Sequence, residues 1–294
     1  EKANEMQALG MVTDARWVDY NKDGRQDLIV VGEWMPITIF EQTSSGKFGK
    51  RIIDDSEGWY YSVETADMDG DGDEDIIAGN LGLNYKYKAS KEAPFEVYSS
   101  DFDNNGSLDI VLSYYEHGIA FPVRGKSCST QQIPSLKEKF PSYEEFGSSD
   151  LKGVYGDESL KNALHLQAKS FASVYVENKG NANFKLKPLP QLAQVSSINS
   201  ILIDDYDKDG FQDLLVSGNL YPAEIETPRN DAGTGLFLKG NGKGDFTPLA
   251  ISESGFYTPN DVRDVKRISV QGKEVMLVAN NDDFLQAIEY QPQE

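Results

Sequence analysis

Short apolar runs recur along the chain, and each of the four clearest ones directly follows an acidic segment. Runs of three or four aliphatic residues are typical of strands that are buried on both faces. The segment before the last acidic stretch, Ser200–Ile203, also contains β-branched residues. This pattern predicts an all-β protein. The four runs are Leu28–Val31, Ile76–Ala78, Ile110–Leu112 and Leu214–Val216.

The acidic segments before these runs share one pattern, D-x-[DN]-x-[DN]-G-x-x-D, and we call them loops 1 to 4 (residues 19–27, 67–75, 101–109 and 205–213). Side chains at positions 1, 3, 5 and 9 and the backbone carbonyl at position 7 can surround one cation, because the glycine at position 6 permits a sharp turn. Ca²⁺ takes about six to eight oxygen ligands from such loops. We therefore predict four calcium ions. The predicted ligands are Asp19, Asn21, Asp23, Arg25 and Asp27; Asp67, Asp69, Asp71, Asp73 and Asp75; Asp101, Asp103, Asn105, Ser107 and Asp109; and Asp205, Asp207, Asp209, Phe211 and Asp213.

Other interpretations of the loops fit less well. An EF-hand loop needs a Glu at position 12 and flanking helices, whereas position 12 falls here on Val30, Ala78, Leu112 and Val216. Magnesium is disfavoured because it prefers near-ideal octahedral geometry and keeps its waters. Simple Asp/Gly turns between strands remain the alternative. Against it, each loop places three or four aspartates at ligand positions, and such crowding of like charges destabilises a fold unless a cation neutralises it.

A second recurring phrase combines glycine with a following phenylalanine, at residues 46–48, 178–184 and 240–246. It predicts hairpin turns, because glycine supplies the positive φ between two strands. A strand before the loop, two strands after it, and a last strand after the hairpin together form a four-stranded antiparallel unit, which is typical of β-propeller blades. About five blades are recognisable. The fifth, residues 261–290, has strand patterns without an acidic loop.

The segment between loops 3 and 4 is too long for one blade. Residues 125–170 contain short helical patterns, and Asp157 is a suitable N-cap for a helix that would run to Ala168 and carry His165. We therefore predict a single propeller domain, residues 1–294, in which a helical insertion at 125–170 interrupts the third blade.

Charge and cysteine content narrow the functional classes. Lys and Arg total 28 and Asp and Glu total 48, which gives a net charge of -20. Such an acidic chain lacks the basic surface that nucleic acids require. No apolar run approaches the roughly 20 residues of a membrane helix, so we expect no direct membrane insertion. Cys128 is the only cysteine, which excludes an internal disulfide.

The four loops, with their apolar strands and glycine-phenylalanine turns, resemble the FG-GAP/VCBS repeats of integrin-α-type β-propellers. Residues 114–141 resemble a narrower group, the C-terminal part of the large secreted bacterial VCBS-repeat proteins associated with ASPIC/UnbV regions. The resemblance implies calcium in each loop and an extracellular or bacterial cell-surface location. Family rings usually contain about seven blades, so this chain would form part of such a ring.

These observations predict an adhesion-type binding or scaffolding module that takes a protein or glycan ligand and is not an enzyme. The alternative is a calcium-dependent polysaccharide lyase or hydrolase on a propeller framework. His117, His165 and Cys128 show no catalytic spacing. The aromatic residues around Trp34 and Trp59 could stack on sugars, although core packing is the default. From carboxylate number and neighbouring charge we expect loop 2 to bind calcium most tightly and loop 1 most weakly.

Overall fold

The computed structural model describes residues 6–290, so the ends of the predicted domain, 1–5 and 291–294, lie outside the described residues. Antiparallel strands dominate, which confirms the all-β prediction. The strands are β1 (Met11–Val18), β2 (Asp27–Met35), β3 (Thr38–Gln42), β4 (Phe48–Ile52), β5 (Gly58–Ala66), β6 (Asp75–Asn80), β7 (Phe95–Ser100), β8 (Asp109–Glu116), β9 (Ile119–Pro122), β10 (Leu164–Ala168), β11 (Val174–Asn178), β12 (Phe184–Pro188), β13 (Ile198–Asp204), β14 (Asp213–Gly218), β15 (Leu236–Gly240), β16 (Phe246–Leu249), β17 (Val262–Val270), β18 (Lys273–Asn280) and β19 (Gln286–Tyr290).

The helices are all short. Five of them lie between β9 and β10, and none in residues 6–290 is long and apolar enough to cross a bilayer. The helices are α1 (Lys126–Gln132), α2 (Leu136–Lys139), α3 (Tyr143–Gly147), α4 (Leu151–Tyr155), α5 (Asp157–Asn162) and α6 (Ile251–Ser254), with a 3₁₀ turn at Gln191–Gln194.

The chain forms two compact units. Unit 1 comprises residues 6–86 and 171–290, and unit 2 comprises residues 87–170. Within residues 125–170, the predicted helical insertion, the helices end at Asn162. The prediction of helix up to Ala168 is wrong, because Leu164–Ala168 forms strand β10 and pairs with β7. The insertion therefore contributes a strand to the sheet of unit 2.

The strands assemble into five antiparallel groups within residues 6–290. Group 1 contains β1–β4, group 2 contains β5, β6, β11 and β12, group 3 contains β7–β10, group 4 contains β13–β16, and group 5 contains β17–β19. Groups 1 and 2 join through β2 and β5 into one curled eight-stranded sheet. Curled antiparallel sheets of this kind are consistent with a β-propeller.

Group 2 is interrupted by the whole of unit 2. Strand β11 pairs with β6, with Val174 opposite Ala78, and β12 follows β11 through the predicted hairpin at 178–184. The assignment of the chain after the insertion to the third blade is therefore wrong: this segment completes group 2. Loop 3 instead belongs to group 3, which lies entirely in unit 2.

The groups of unit 1 stack face to face through apolar side chains. Alternate residues of a strand point to opposite faces, so Ile76 and Ala78 pack against group 1 whereas Ile77 packs against group 4. In the same way Leu214 faces group 2 and Leu215 faces group 5. Burial on both faces explains why the second strand of each of these groups reads as an uninterrupted apolar run.

The first strands of the unit 1 groups are tied to one another by polar side chains. Each of β1, β5, β13 and β17 contains one bulge near its start, and the residue after the bulge carries a hydrogen-bonding side chain. These side chains bridge successive groups and fix their register. The bonds join Val63 N to Asp14 Oδ2, Ser62 Oγ to Ile198 O and Val265 N to Ser200 Oγ, each at 2.9 Å.

Candidate metal centres

The four acidic loops occupy equivalent places in four groups. Each begins directly after the first strand of its group, and its position 9 is the first residue of the second strand. The position 6 glycines all have positive φ, between 79° and 91°. Position 4 also has positive φ in every loop, with values of 57° to 79° for Lys22, Gly70, Asn104 and Lys208. Glycine and asparagine tolerate this conformation readily, whereas it is strained for lysine.

The same side-chain to backbone hydrogen bonds shape all four loops. The amide of the position 6 glycine donates to the carboxylate of the position 1 aspartate, as from Gly210 to Asp205 Oδ2 at 2.9 Å. The amide of position 7 donates to the side chain of position 5, as from Phe211 to Asp209 Oδ1 at 3.0 Å. The equivalent bonds recur in loops 1, 2 and 3. In each loop these bonds hold the position 1 and position 5 side chains against the backbone of the same loop.

The aspartates at position 9 are buried and connect the loop to its sheet. Asp75 is fully buried; its Oδ1 accepts from the amide of Asn178 at 2.7 Å, and its Oδ2 accepts from Met68 N and the hydroxyl of Tyr175. Asp213 accepts from Gly240 N and Tyr206 N in the same way. In loops 1, 2 and 4, position 9 therefore anchors the loop to the third strand of its group, a role that the loop pattern alone does not predict.

Burial also perturbs the protonation of these anchors. Desolvation raises the pKa of Asp75 to about 6, although its three hydrogen bonds oppose the shift. The pKa of Asp27 is raised to about 6 for the same reason, and burial raises those of Asp109 and Asp213 as well. A carboxylate held in such a place is stabilised in its charged form when a cation approaches it.

Carboxylates converge in three of the four loops. One oxygen from each of three aspartates lies within 4.8 Å of the other two in loops 2, 3 and 4, whereas the described residues of loop 1 form no such group. In loop 1 the guanidinium of Arg25 pairs with Asp23, its position 5 aspartate. The converging sets are Asp67, Asp69 and Asp71; Asp101, Asp103 and Asp109; and Asp205, Asp207 and Asp213.

Several loop oxygens are shielded from solvent and accept no hydrogen bond. Asp205 Oδ1 at position 1 of loop 4, Asp27 Oδ2 at position 9 of loop 1 and Asp73 Oδ1 at position 7 of loop 2 are in this state. A buried carboxylate oxygen without a partner is costly. The side-chain ligands that these loops offer are all oxygen atoms, they lie close together, and some of them have no hydrogen-bond partner. Such a set of ligands fits a hard divalent cation such as calcium.

One contact of loop 4 could not be predicted from the loop sequence. The ammonium group of Lys239, on β15, pairs with Asp207 and with Asp209, the latter at 2.8 Å. These hydrogen bonds raise the pKa of Lys239 and lower that of Asp209. Lys239 lies 26 or more residues beyond the loop in the chain, and only the pairing of β14 with β15 brings it close.

The two histidines, the cysteine and the tryptophans considered from the sequence form no centre comparable to the acidic loops. His165 lies on strand β10 rather than on a helix; its Nε2 lies 2.9 Å from the buried Glu96, and its ring stacks on Tyr98. His117 occupies the turn between β8 and β9, and Cys128 is a half-buried free thiol on α1. Trp34 and Trp59 pack edge to face at 4.8 Å, in line with the core-packing default.

Residues 19–78 match the FG-GAP-like repeat. The matched segment runs from the first residue of loop 1 to β6, so it contains loops 1 and 2. It supports the resemblance predicted from the loop pattern, whereas the narrower ASPIC/UnbV resemblance stays a prediction. No curated protein sequence matches the chain.

Proposed function

We propose that this protein is a calcium-stabilised, propeller-type binding module that acts outside the cell or at a bacterial cell surface. The observation that carries the proposal is the fourfold recurrence of one loop. Four segments with the same residue pattern lie in the same place between two strands and make the same internal hydrogen bonds. Turns that only reverse the chain do not need three converging carboxylates.

The proposed ligands of each ion are the side chains at positions 1, 3 and 5 and the carbonyl of position 7, with the buried position 9 aspartate closing the site. Bound calcium would supply positive charge where carboxylates crowd, and it would hold the first two strands of a group together. Its role here is structural. It replaces the disulfides that a chain with one cysteine cannot form.

An extracellular location follows from the expected affinity. Loops of this kind on extracellular modules bind calcium with dissociation constants of about 10⁻⁴ to 10⁻³ M. Extracellular calcium saturates such sites, whereas resting cytosol does not. Dissociation constants far below a micromolar in all four loops would argue against this part of the proposal.

The apolar side chains of the unit 1 strands are buried between neighbouring groups. A partner is therefore expected to contact the loops and connections. The proposed partner is a protein or a glycan. The test is binding of the full chain to glycan and protein arrays in the presence of calcium and of EGTA, together with a screen for polysaccharide cleavage. Calcium-dependent binding without cleavage supports the proposal, and cleavage supports the lyase or hydrolase alternative instead.

A further inference from the structure

Loop 4 is neutralised in part by a cation that belongs to the protein. Lys239 reaches the loop from the third strand of group 4, and its ammonium group contacts one carboxylate oxygen of Asp207 and one of Asp209. The side chains of all three residues are less than two-fifths exposed. The ammonium therefore bridges positions 3 and 5 of the loop in a setting that only partly screens charge.

The same carboxylate serves two clusters. Asp207 also converges with Asp205 and Asp213 in the trio of loop 4. A divalent cation at the centre of the loop and the ammonium of Lys239 would thus draw on the same acidic group. Both cations cannot hold Asp207 and Asp209 in their best geometry, because the position 3 and position 5 carboxylates are also the proposed metal ligands.

The loops differ in this property. In loop 1, Arg25 pairs with the position 5 aspartate, Asp23. Within the described residues, the converging aspartates of loops 2 and 3 make no ion pair with Lys, Arg or His. Loops 1 and 4 thus contain an aspartate ligand that is ion-paired with a side chain of the protein, whereas the converging aspartates of loops 2 and 3 are not ion-paired within residues 6–290. The sequence-based ranking took account of loop residues only and could not include Lys239.

We propose that Lys239 is a resident counter-cation of loop 4, which calcium must displace in order to bind there. This inference rests on the proposed function. Because Lys239 must be displaced, loop 4 binds calcium more weakly than loops 2 and 3. When calcium is absent, the ion pairs of Lys239 with Asp207 and Asp209 keep the loop folded. Arg25 has the equivalent effect in loop 1.

The displaced ammonium has a defined surrounding. Lys239 and Asp207 line a cleft of about 450 Å³ between groups 4 and 5, whose other walls include Phe237, Phe256 and Met276. When calcium binds the carboxylates of Asp207 and Asp209, they no longer neutralise the charge of Lys239. Calcium occupancy of loop 4 therefore changes the electrostatic potential of this cleft.

The test compares Lys239→Met with a matched control, Lys208→Met. Lys208 lies inside the same loop and its loss changes the net charge equally, but it makes no ion pair with the loop within the described residues. Calcium titration of the EGTA-stripped full chain should show one binding step that is roughly fivefold tighter in Lys239→Met, in line with a partly exposed ion pair. The same step should be absent in Asp205→Asn and little changed in Lys208→Met.

Thermal unfolding supplies a second readout. In EGTA, Lys239→Met should melt below the wild type because Asp207 and Asp209 repel each other, and in saturating calcium the difference should disappear. In EGTA, the melting temperature of Lys239→Gln, which keeps a hydrogen-bond donor, should lie between those of Lys239→Met and the wild type. If calcium binds but Lys239→Met behaves as Lys208→Met does, this inference is overturned and the proposed function stands. If no variant binds calcium, both are overturned.

Discussion

The backbone amide of Gly82 donates a hydrogen bond of 2.8 Å to the carbonyl oxygen of Phe171, although all of residues 83–170 lie between them in the chain. Just before and after these residues, β6 and β11 pair as antiparallel neighbours in group 2. The chain therefore leaves unit 1 and returns to it at adjacent points. Unit 2, with loop 3 and the five helices between β9 and β10, is nested in a connection between two paired strands.

This closure predicts that unit 2 can be removed. Replacing residues 87–170 with a short glycine-rich linker should leave unit 1 folded, because Gly82 and Phe171, which flank the segment, are already hydrogen-bonded to each other. The truncated protein should keep a cooperative thermal transition and a β-type circular dichroism spectrum, and it should bind one calcium ion fewer than the full chain.

The shorter deletion from Cys128 to Gln167 serves as the comparison. It removes most of β10, which pairs with β7, and it exposes the apolar residues that the helices cover. We expect this variant to lose the cooperative folding of unit 2. A truncation of 87–170 that fails to fold would show that unit 1 depends on unit 2.

The buried anchors at position 9 should matter even without calcium. Replacement of Asp75 by alanine leaves the amides of Asn178 and Met68 and the hydroxyl of Tyr175 without their acceptor. We expect a loss of about 3 kcal/mol in the free energy of unfolding already in EGTA, and a larger loss in calcium because the position 9 carboxylate also closes the proposed metal site.

Asp69→Ala is the control in the same loop, because Asp69 converges with Asp67 and Asp71 and is not an anchor. It should reduce stability in calcium only. Urea denaturation of both variants under both conditions measures the difference. Equal behaviour of the two variants would mean that position 9 is only a further metal ligand.

Close backbone packing makes Gly218 irreplaceable. A Cβ atom there would lie 1.7 Å from the carbonyl oxygen of Ser197, at the point where β14 passes the bulge of β13. Gly218→Ala should destabilise the protein by about 3 kcal/mol through overpacking. Gly125→Ala, where a Cβ meets nothing within 4 Å, should be nearly neutral. Chemical denaturation midpoints of the two variants test this contrast.

The local parts of the structure could be predicted from the sequence. The loop pattern located the turn between the first two strands of four groups, and the phrases at 46–48, 178–184 and 240–246 located three hairpins correctly. Both signals depend on residues that are close in the chain. Glycine, asparagine and aspartate at fixed spacing impose backbone geometry on their own segment.

The parts that were missed depend on distant pairing. Nothing in residues 171–188 indicates that β11 pairs with β6 rather than with a strand of group 3. The segment around His165 has charged residues before it that suit a helix, yet pairing with β7 decides its conformation. The position of Lys239 beside Asp209 likewise follows from the register of β14 and β15 and from no local pattern.

The central claim, that calcium in the acidic loops stabilises the folded chain, is tested most directly by thermal unfolding of the full chain in calcium and in EGTA, with magnesium as a control. Saturation at about 100 times the dissociation constant contributes about 2.7 kcal/mol for each site that binds only the folded state. We expect a much higher melting temperature in calcium than in EGTA, with magnesium resembling EGTA. A melting temperature that is the same in calcium and in EGTA would contradict the claim.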